Sequence, residues 1–345
     1  MLAGRRLLVA FAASTINFLD MRLWPLTWTR LTTGLFNRRH IWRTKRAAVK
    51  AGRLALRTPP MPVGANADVE VHILVCHRDV SMAIQGLKSF YRFTPVPFAL
   101  VIHDDGSLDP DDRALLGRHF PGLRFIDADA AAGTLDAELT RLGLERCREF
   151  RRTFVLARRI FDFPYYSAGR MMLQLDADVI FLQRPTELLA ALASTDPRSP
   201  MRFNIDVKDA YSWTDDQIRG VVGLAPAPRV NGGLVAMRYP RAILPEMWEL
   251  VERCLVLPVS SETQWLRDQT LLGIIGGWHG ALALPPEYDV CARLLRTGRE
   301  DLVSHHCLAH QRLYFYEAFM TRVAPALFTS SAHGARTPAR SATGA

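Results

Sequence analysis

The chain predicts an α/β fold: a mostly parallel sheet with helices on both faces. Three observations carry this. From residue 69 to about 200, strand-like apolar runs alternate with helical stretches. The runs are continuously apolar, as strands buried on both faces are. Three of them end in polar residues: Cys76-His77-Arg78, His103-Asp104-Asp105 and Asp176-Ala177-Asp178. Ligands of such sheets sit at the carboxyl ends of the strands, so three polar ends imply one polar crevice.

Taken in order, "RTPPMPVGANAD" forbids helix through its prolines and reads as a linker over 58–68. "VEVHILVCHRD" is a buried strand rich in Val and Ile. Met82 to Phe93 has helical spacing. "PFALVIHDDGS" is a second strand ending in acids, and "DPDDRALLGRHF" a helix with Asp109 as cap and Pro110 in its first position. "GLRFIDA" gives a third short strand, and residues 131–162 are mainly helical. "MMLQLDADVIFL" reads as a strand and "PTELLAALAS" opens a helix. After residue 200 the rhythm breaks: "RVNGGLVAMRYP" is a strand, "ETQWLRDQTLLGIIGGW" a helix, and "LALPPEYDV" and "DLVSHHCLAH" short strands or loops. Residues 329–345 are small and polar and predict a disordered tail.

With 345 residues and 49% hydrophobic content, the chain can bury a sizeable core. Its five cysteines, Cys76, Cys147, Cys254, Cys291 and Cys307, show no CxxC and no regular spacing, which suits a reducing compartment. The net charge of +9 is uneven. Residues 1–57 hold twelve Lys/Arg against one acid, a net +11, and the rest of the chain nets −2. The body therefore has no nucleic-acid footprint. The apolar run Leu7 to Ala13 is too short to span a bilayer. Trp24, Trp28 and Trp42 among the arginines suit an anionic membrane surface; a helix packed on the body is the competing reading. A cytoplasmic protein, peripheral on the inner face of the membrane, is the expectation.

Asp176 and Asp178 stand inside an apolar run. Two residues apart on a strand, they would share a face. Adjacent carboxylates repel, and one would rather protonate. A hard divalent cation removes the conflict, and Mg²⁺ or Mn²⁺ commonly bridges one or two carboxylates to phosphates.

At this point the chain resembles a known group. "LQLDADVIF" is similar to the DxD motif of nucleotide-sugar glycosyltransferases of the GT-A (Rossmann-like) fold. "VIHDDGSLDPDD" resembles their acid-ending second strand, and "VNGGLVAMR" their Asn-small-Gly strand. "WLRDQTLLGII" resembles the DQ helix of the retaining family that includes glycogenin and lipopolysaccharide galactosyltransferases. "LPPEYDV" and "VSHHCLAHQR" are similar to its final strand and metal histidine. The resemblance runs from residue 69 to about 320, within a catalytic domain placed at 69–328.

The resemblance implies a hexosyltransferase of polysaccharide biosynthesis that moves sugar from a UDP-sugar to a glycan or lipid-linked acceptor with retention, using Mn²⁺ or Mg²⁺. Asp176, Asp178 and His305 would hold the metal, with His306 and His310 as competitors. Asp104 or Asp105 would contact the base or ribose, and Cys76 and His77 would line the nucleoside pocket. Arg159 and Ala177 would lie against the donor. Asn231 and Gly232 would face the sugar, and Asp268 and Gln269 the reacting carbon. The family follows its histidine with a Gly-x-x-Lys-Pro-Trp run; here stands "CLAHQRLYFY", and Arg312 or Gln311 would serve the phosphate instead. An inactive sugar-nucleotide-binding or scaffold protein, and a haloacid-dehalogenase-like phosphatase that also uses a strand-ending DxD, are the alternatives.

Overall fold

A computed structural model describes residues 28–64, 68–238, 241–290, 301–308 and 311–334, with side chains within 38–329. The expectations for residues 1–27, Cys291, His310 and the chain from 335 onward lie outside the described residues.

The elements are α1 (Trp28–Ala55), β1 (Val69–Val75), α2 (Val80–Tyr91), β2 (Ala99–Asp104), α3 (Pro110–His119), β3 (Arg124–Ile126), α4 (Ala128–Arg141), α5 (Glu145–Thr153), α6 (Arg158–Tyr166), β4 (Met171–Leu175), β5 (Val179–Phe181), α7 (Thr186–Ala193), β6 (Met201–Ile205), α8 (Asp215–Val222), β7 (Val230–Met237), α9 (Leu244–Cys254), α10 (Arg267–His279), β8 (Ala281–Ala283), β9 (Tyr288–Val290), β10 (Ser304–His306), α11 (Arg312–Ala318) and α12 (Ala324–Gly334). The central sheet has the order β3-β2-β1-β4-β7-β6-β8, and a small second sheet the order β5-β10-β9. All central pairings are parallel except those of β7 with β4 and β6. Two antiparallel steps bring β6 back into the direction of β4. The carboxyl ends of β1, β2, β4 and β6 and the amino end of β7 therefore share one edge.

Strand alternation divides the core between the two faces. Leu173, Leu175, Leu234 and Ala236 pack towards α2 and α11, whereas Met172, Val235 and Met237 pack towards α6, α9 and α10. This is the expected two-sided burial. The run "MMLQLDADVIFL", expected as one strand, is instead two: β4 and β5 lie in different sheets, joined by the turn Asp176–Asp178. Two acids at successive alternate positions favour leaving the ladder over continuing it.

Residues 58–64, expected as a linker, run along the body. The Val63 and Gly64 N–H groups donate to the Pro121 and Phe98 carbonyls at 3.0 and 3.1 Å. Beneath them, buried Lys88 donates to Thr58 Oγ1 at 2.7 Å and to the Pro59 carbonyl at 2.5 Å. Burial pushes the Lys88 ammonium down to about 8. The arm expected over 1–57 is helical from Trp28, and Ala47, Ala51 and Ala55 on one of its faces are buried against the body. The tail expected from Thr329 is helical as far as Gly334, in a stretch whose alanines favour helix. Among the described residues, no helix is long and apolar enough to cross a membrane.

Candidate functional site

The Asp176–Asp178 turn is held from three sides. The Asp176 N–H donates to the Gly233 carbonyl on β7 at 2.8 Å, and the Cys307 N–H to the Asp178 carbonyl at 2.9 Å. Helix α2 crosses behind, where a Cβ on Gly86 would lie 2.9 Å from the Val179 carbonyl oxygen and 3.0 Å from that of Ala177. Only glycine lets the helix come this close.

His306 faces this turn. Its Nε2 lies 3.1 Å from Asp178 Oδ1 and 3.7 Å from Asp176 Oδ2. His305, expected beside the acids, points the other way, with Nδ1 3.2 Å from Asp289 Oδ2 and its ring edge-on to Tyr314. The reason is strand geometry. In β10, His306 pairs with Val179 and His305 with Ile180, and adjacent residues of a strand face opposite sides. Gly233 makes room for the imidazole: a Cβ there would clash with Cε1 and Nδ1 of the His306 ring. The Asn-Gly-Gly sequence at the start of β7 thus has a steric purpose.

Two guanidinium groups offset the acids. Arg159 on α6 reaches Asp176 Oδ1 at 2.5 Å and Asp268 Oδ2 at 3.2 Å. Arg312, opening α11, reaches Asp178 Oδ2 at 3.4 Å and Asp79 at 3.6 Å. Burial raises the Asp176 carboxyl above its ordinary range despite Arg159 and His306. Burial pulls Asp178 the same way, but the charge and hydrogen bond of His306, with Arg312, hold it below the ordinary range. Burial pushes Asp268 up to about 6, with Arg159 opposing. His306 is held above its usual value, the two acids outweighing its burial.

In front of these groups opens a cleft of about 280 Å³ lined by Leu74, Cys76, Asp79, Asp105, Arg159, Asp176, Ala177, Asp178 and Arg312 among others. Of the residues expected to meet a donor, Cys76, Asp105, Arg159, Ala177 and Arg312 come together in this cleft. Asp104 does not: it is 3% exposed, and its carboxylate accepts from the Gly106 N–H at 2.7 Å and from Arg113 at 2.5 Å. It shapes the turn. His77 lies outside the cleft lining, 2.6 Å from Asp112.

Gly232 backs onto Arg159 and Asp268. The Gln269 amide is occupied within the protein. Its Oε1 accepts from the Gly232 N–H at 3.3 Å, and its Nε2 donates to the Ala210 carbonyl at 3.0 Å. Asp268, expected with Gln269 at the reacting carbon, is likewise engaged, pairing with Arg159 at 3.2 Å.

Asp206 had no place in the sequence reading. Its Oδ2 accepts from Asn231 Nδ2 at 3.0 Å and Gln269 Nε2 at 3.3 Å. A signal was present: "MRFNID" is a fourth strand running into an acid, at the same sheet edge as the other three.

The donor atoms of Asp176, Asp178 and His306 lie within 4.8 Å of one another. Two carboxylates and one imidazole, steadied by Gly233 and by hydrogen bonds behind the ring, fit a divalent cation, with the carboxylates favouring Mn²⁺ or Mg²⁺.

No family model and no curated protein matches the chain. Solved structures similar to it include glycosyltransferases. Mouse xyloside xylosyltransferase 1 is 14% identical with a TM-score of 0.48, covering 73% of this chain and 99% of its own. Galactosyltransferase LgtC, solved with donor and acceptor sugar analogues, is 15% identical with a TM-score of 0.49, covering 74% and 95%. GlyE of Streptococcus pneumoniae TIGR4 is 12% identical with a TM-score of 0.48, covering 80% and 66%. Likeness at this level says nothing of substrate.

Proposed function

We propose that the chain is a metal-dependent GT-A glycosyltransferase that moves a hexose from a UDP-sugar to a glycan or lipid-linked acceptor. The observation that carries this is the convergence of Asp176, Asp178 and His306 at the edge of a cleft that also holds two arginines. Asp176, Asp178 and His306 would hold Mn²⁺ or Mg²⁺, which supplies Lewis-acid neutralisation of a diphosphate when bound.

The chain's own groups do the rest. Arg312, at the cleft wall, offers its guanidinium to phosphate oxygens, taking the place of the lysine that the sequence lacks. Asp105 and Cys76 line the nucleoside end. Arg159 keeps Asp176 and Asp268 in fixed relation. Asp268, 3% exposed and paired with Arg159, would stabilise positive charge developing on the sugar. With retention, the acceptor hydroxyl attacks from the face the diphosphate leaves, and its proton passes to the departing phosphate oxygen.

The acceptor reading draws on α1. Over 38–57 this end of the chain carries eight Lys/Arg and no acid. Ile41, Trp42, Val49 and Leu56 are exposed, and the Arg46 guanidinium lies 4.4 Å from the centre of the Trp42 ring. Indole and guanidinium on one outward face favour an anionic membrane surface and an acceptor held there.

The test is a panel of nucleotide sugars with the full-length protein, with and without Mn²⁺, read by donor hydrolysis. UDP-sugar turnover that needs the metal is expected. Turnover indifferent to metal, or confined to phosphomonoesters, would contradict the reading.

A further inference from the structure

We infer that Asp206 is a positioning residue that sets which nitrogen of His306 carries the proton, keeping the lone pair on the Nε2 that faces the metal-binding acids, and that it acts through Asn231. The inference rests on the metal-dependent reading above.

Asn231, 2% exposed, is the hub. Its Oδ1 accepts from the Gly233 N–H at 3.0 Å and lies 2.7 Å from His306 Nδ1. Its Nδ2 donates to Asp206 Oδ2 at 3.0 Å, with Gln269 Oε1 at 3.5 Å. A backbone N–H can only donate and a carboxylate accepts, so these two partners together allow one orientation of the amide. Oδ1 must therefore face the imidazole. The imidazole must then donate from Nδ1, which leaves Nε2 as the nitrogen directed at Asp178 and Asp176, 3.1 and 3.7 Å away. In the neutral ring that nitrogen carries the lone pair a cation needs.

Asp206 is itself fixed. Its Oδ1 accepts from the Val207 N–H at 2.7 Å, and its Oδ2 also accepts from Gln269 Nε2 at 3.3 Å. It is 6% exposed, so bulk water does not readily replace it. Without this carboxylate the amide is held by the Gly233 N–H and the long contact to Gln269 Oε1 alone, so turning it to present NH₂ to His306 Nδ1 costs fewer hydrogen bonds than in the native site. The ring would then carry its proton on Nε2, and that nitrogen could not ligate. The donors run in one direction, from His306 Nδ1 to Asn231 Oδ1 and from Asn231 Nδ2 to Asp206, which leaves the Nε2 lone pair towards the cation site.

The test pairs Mn²⁺ titration by calorimetry with nitrogen-15 spectra of the neutral His306 ring in metal-free protein, assigned by His306→Gln. Wild type is expected to hold the Nδ1–H tautomer. Asp206→Ala should shift the ring towards Nε2–H and weaken Mn²⁺ binding about tenfold or more, as losses of outer hydrogen bonds to metal ligands do. Asp206→Asn, which keeps an acceptor oxygen, should retain both properties. If Asp206→Ala does not fold, Asp206→Leu, near aspartate in shape and without an acceptor, carries the same comparison. An unchanged tautomer in the folded variant overturns the inference, even where affinity falls, because a merely structural aspartate would lower affinity without moving the proton. If wild type takes up no Mn²⁺ at all, the metal reading fails, and the tautomer alone decides the role of Asp206.

Discussion

Asp176, Asp178 and His306 form one group of two carboxylates and a histidine with donor atoms within 4.8 Å of each other; His77, Asp109 and Asp112 form another. The two are built in opposite ways. In the second, Asp109 and Asp112 close a capping box at the start of α3. Asp109 Oδ1 accepts from the Asp112 N–H at 2.8 Å, and Asp112 Oδ2 from the Asp109 N–H at 3.1 Å. His77 and Asp109 are largely exposed, with side-chain exposures of 62% and 50%. Those carboxylates already have their partners in the backbone. In the first group the three residues come from β10 and the turn between β4 and β5. The charges that balance Asp176 and Asp178 come from the side chains of Arg159, Arg312 and His306. A pair of like charges is kept out of water only where something is gained by keeping both ionised. Three potential ligands near one another are common; three that the fold has gathered at such expense are not.

The first way to break the contrast gives the largest effect. Asp178→Asn should weaken Mn²⁺ binding by more than the roughly 10- to 100-fold typical of outer-shell changes, since it removes a ligand itself. Calorimetric titration of Mn²⁺ checks this, and His306→Ala should behave alike. Next comes Gly233→Ala, whose methyl group would displace the His306 ring. It should cost about tenfold or more in Mn²⁺ affinity while circular dichroism shows the sheet intact. His305→Ala sharpens the histidine assignment: Mn²⁺ affinity should stay at the wild-type level, because that ring faces Asp289. The smallest effect belongs to the second cluster. Asp109→Ala should leave Mn²⁺ affinity unchanged and lower stability in urea unfolding by about 1 kcal/mol, the usual cost of a lost helix cap.

Much of this was legible from the residues, and the rest was not for identifiable reasons. Continuous apolar runs located β1, β2 and β4, because strands covered on both faces leave that signature. The polar ends of those strands placed the cleft. The choice between His305 and His306 was not accessible. It depends on the register of β10 against β5, and a shift of one residue reverses every side chain. Asp104 and Asp105 could not be separated either, since the difference lies in which carboxylate the following turn consumes. Asp206 escaped notice because β6 meets the other acid-ending strands only through the antiparallel β7, a pairing that local sequence does not reveal. The packed face of α1 was also hidden. Its buried positions are alanines, which carry little hydrophobic signal amid a run of arginines.

In the proposed function, Asp176 and Asp178 hold a cation that in turn holds a nucleoside diphosphate. Calorimetric titration of UDP, with and without Mn²⁺, on wild type and on Asp176→Asn and Asp178→Asn tests it most directly. Wild type is expected to bind UDP only with Mn²⁺, and both variants to lose that binding while remaining folded as judged by circular dichroism. UDP affinity that is the same with and without Mn²⁺, or unchanged in both variants, would contradict it.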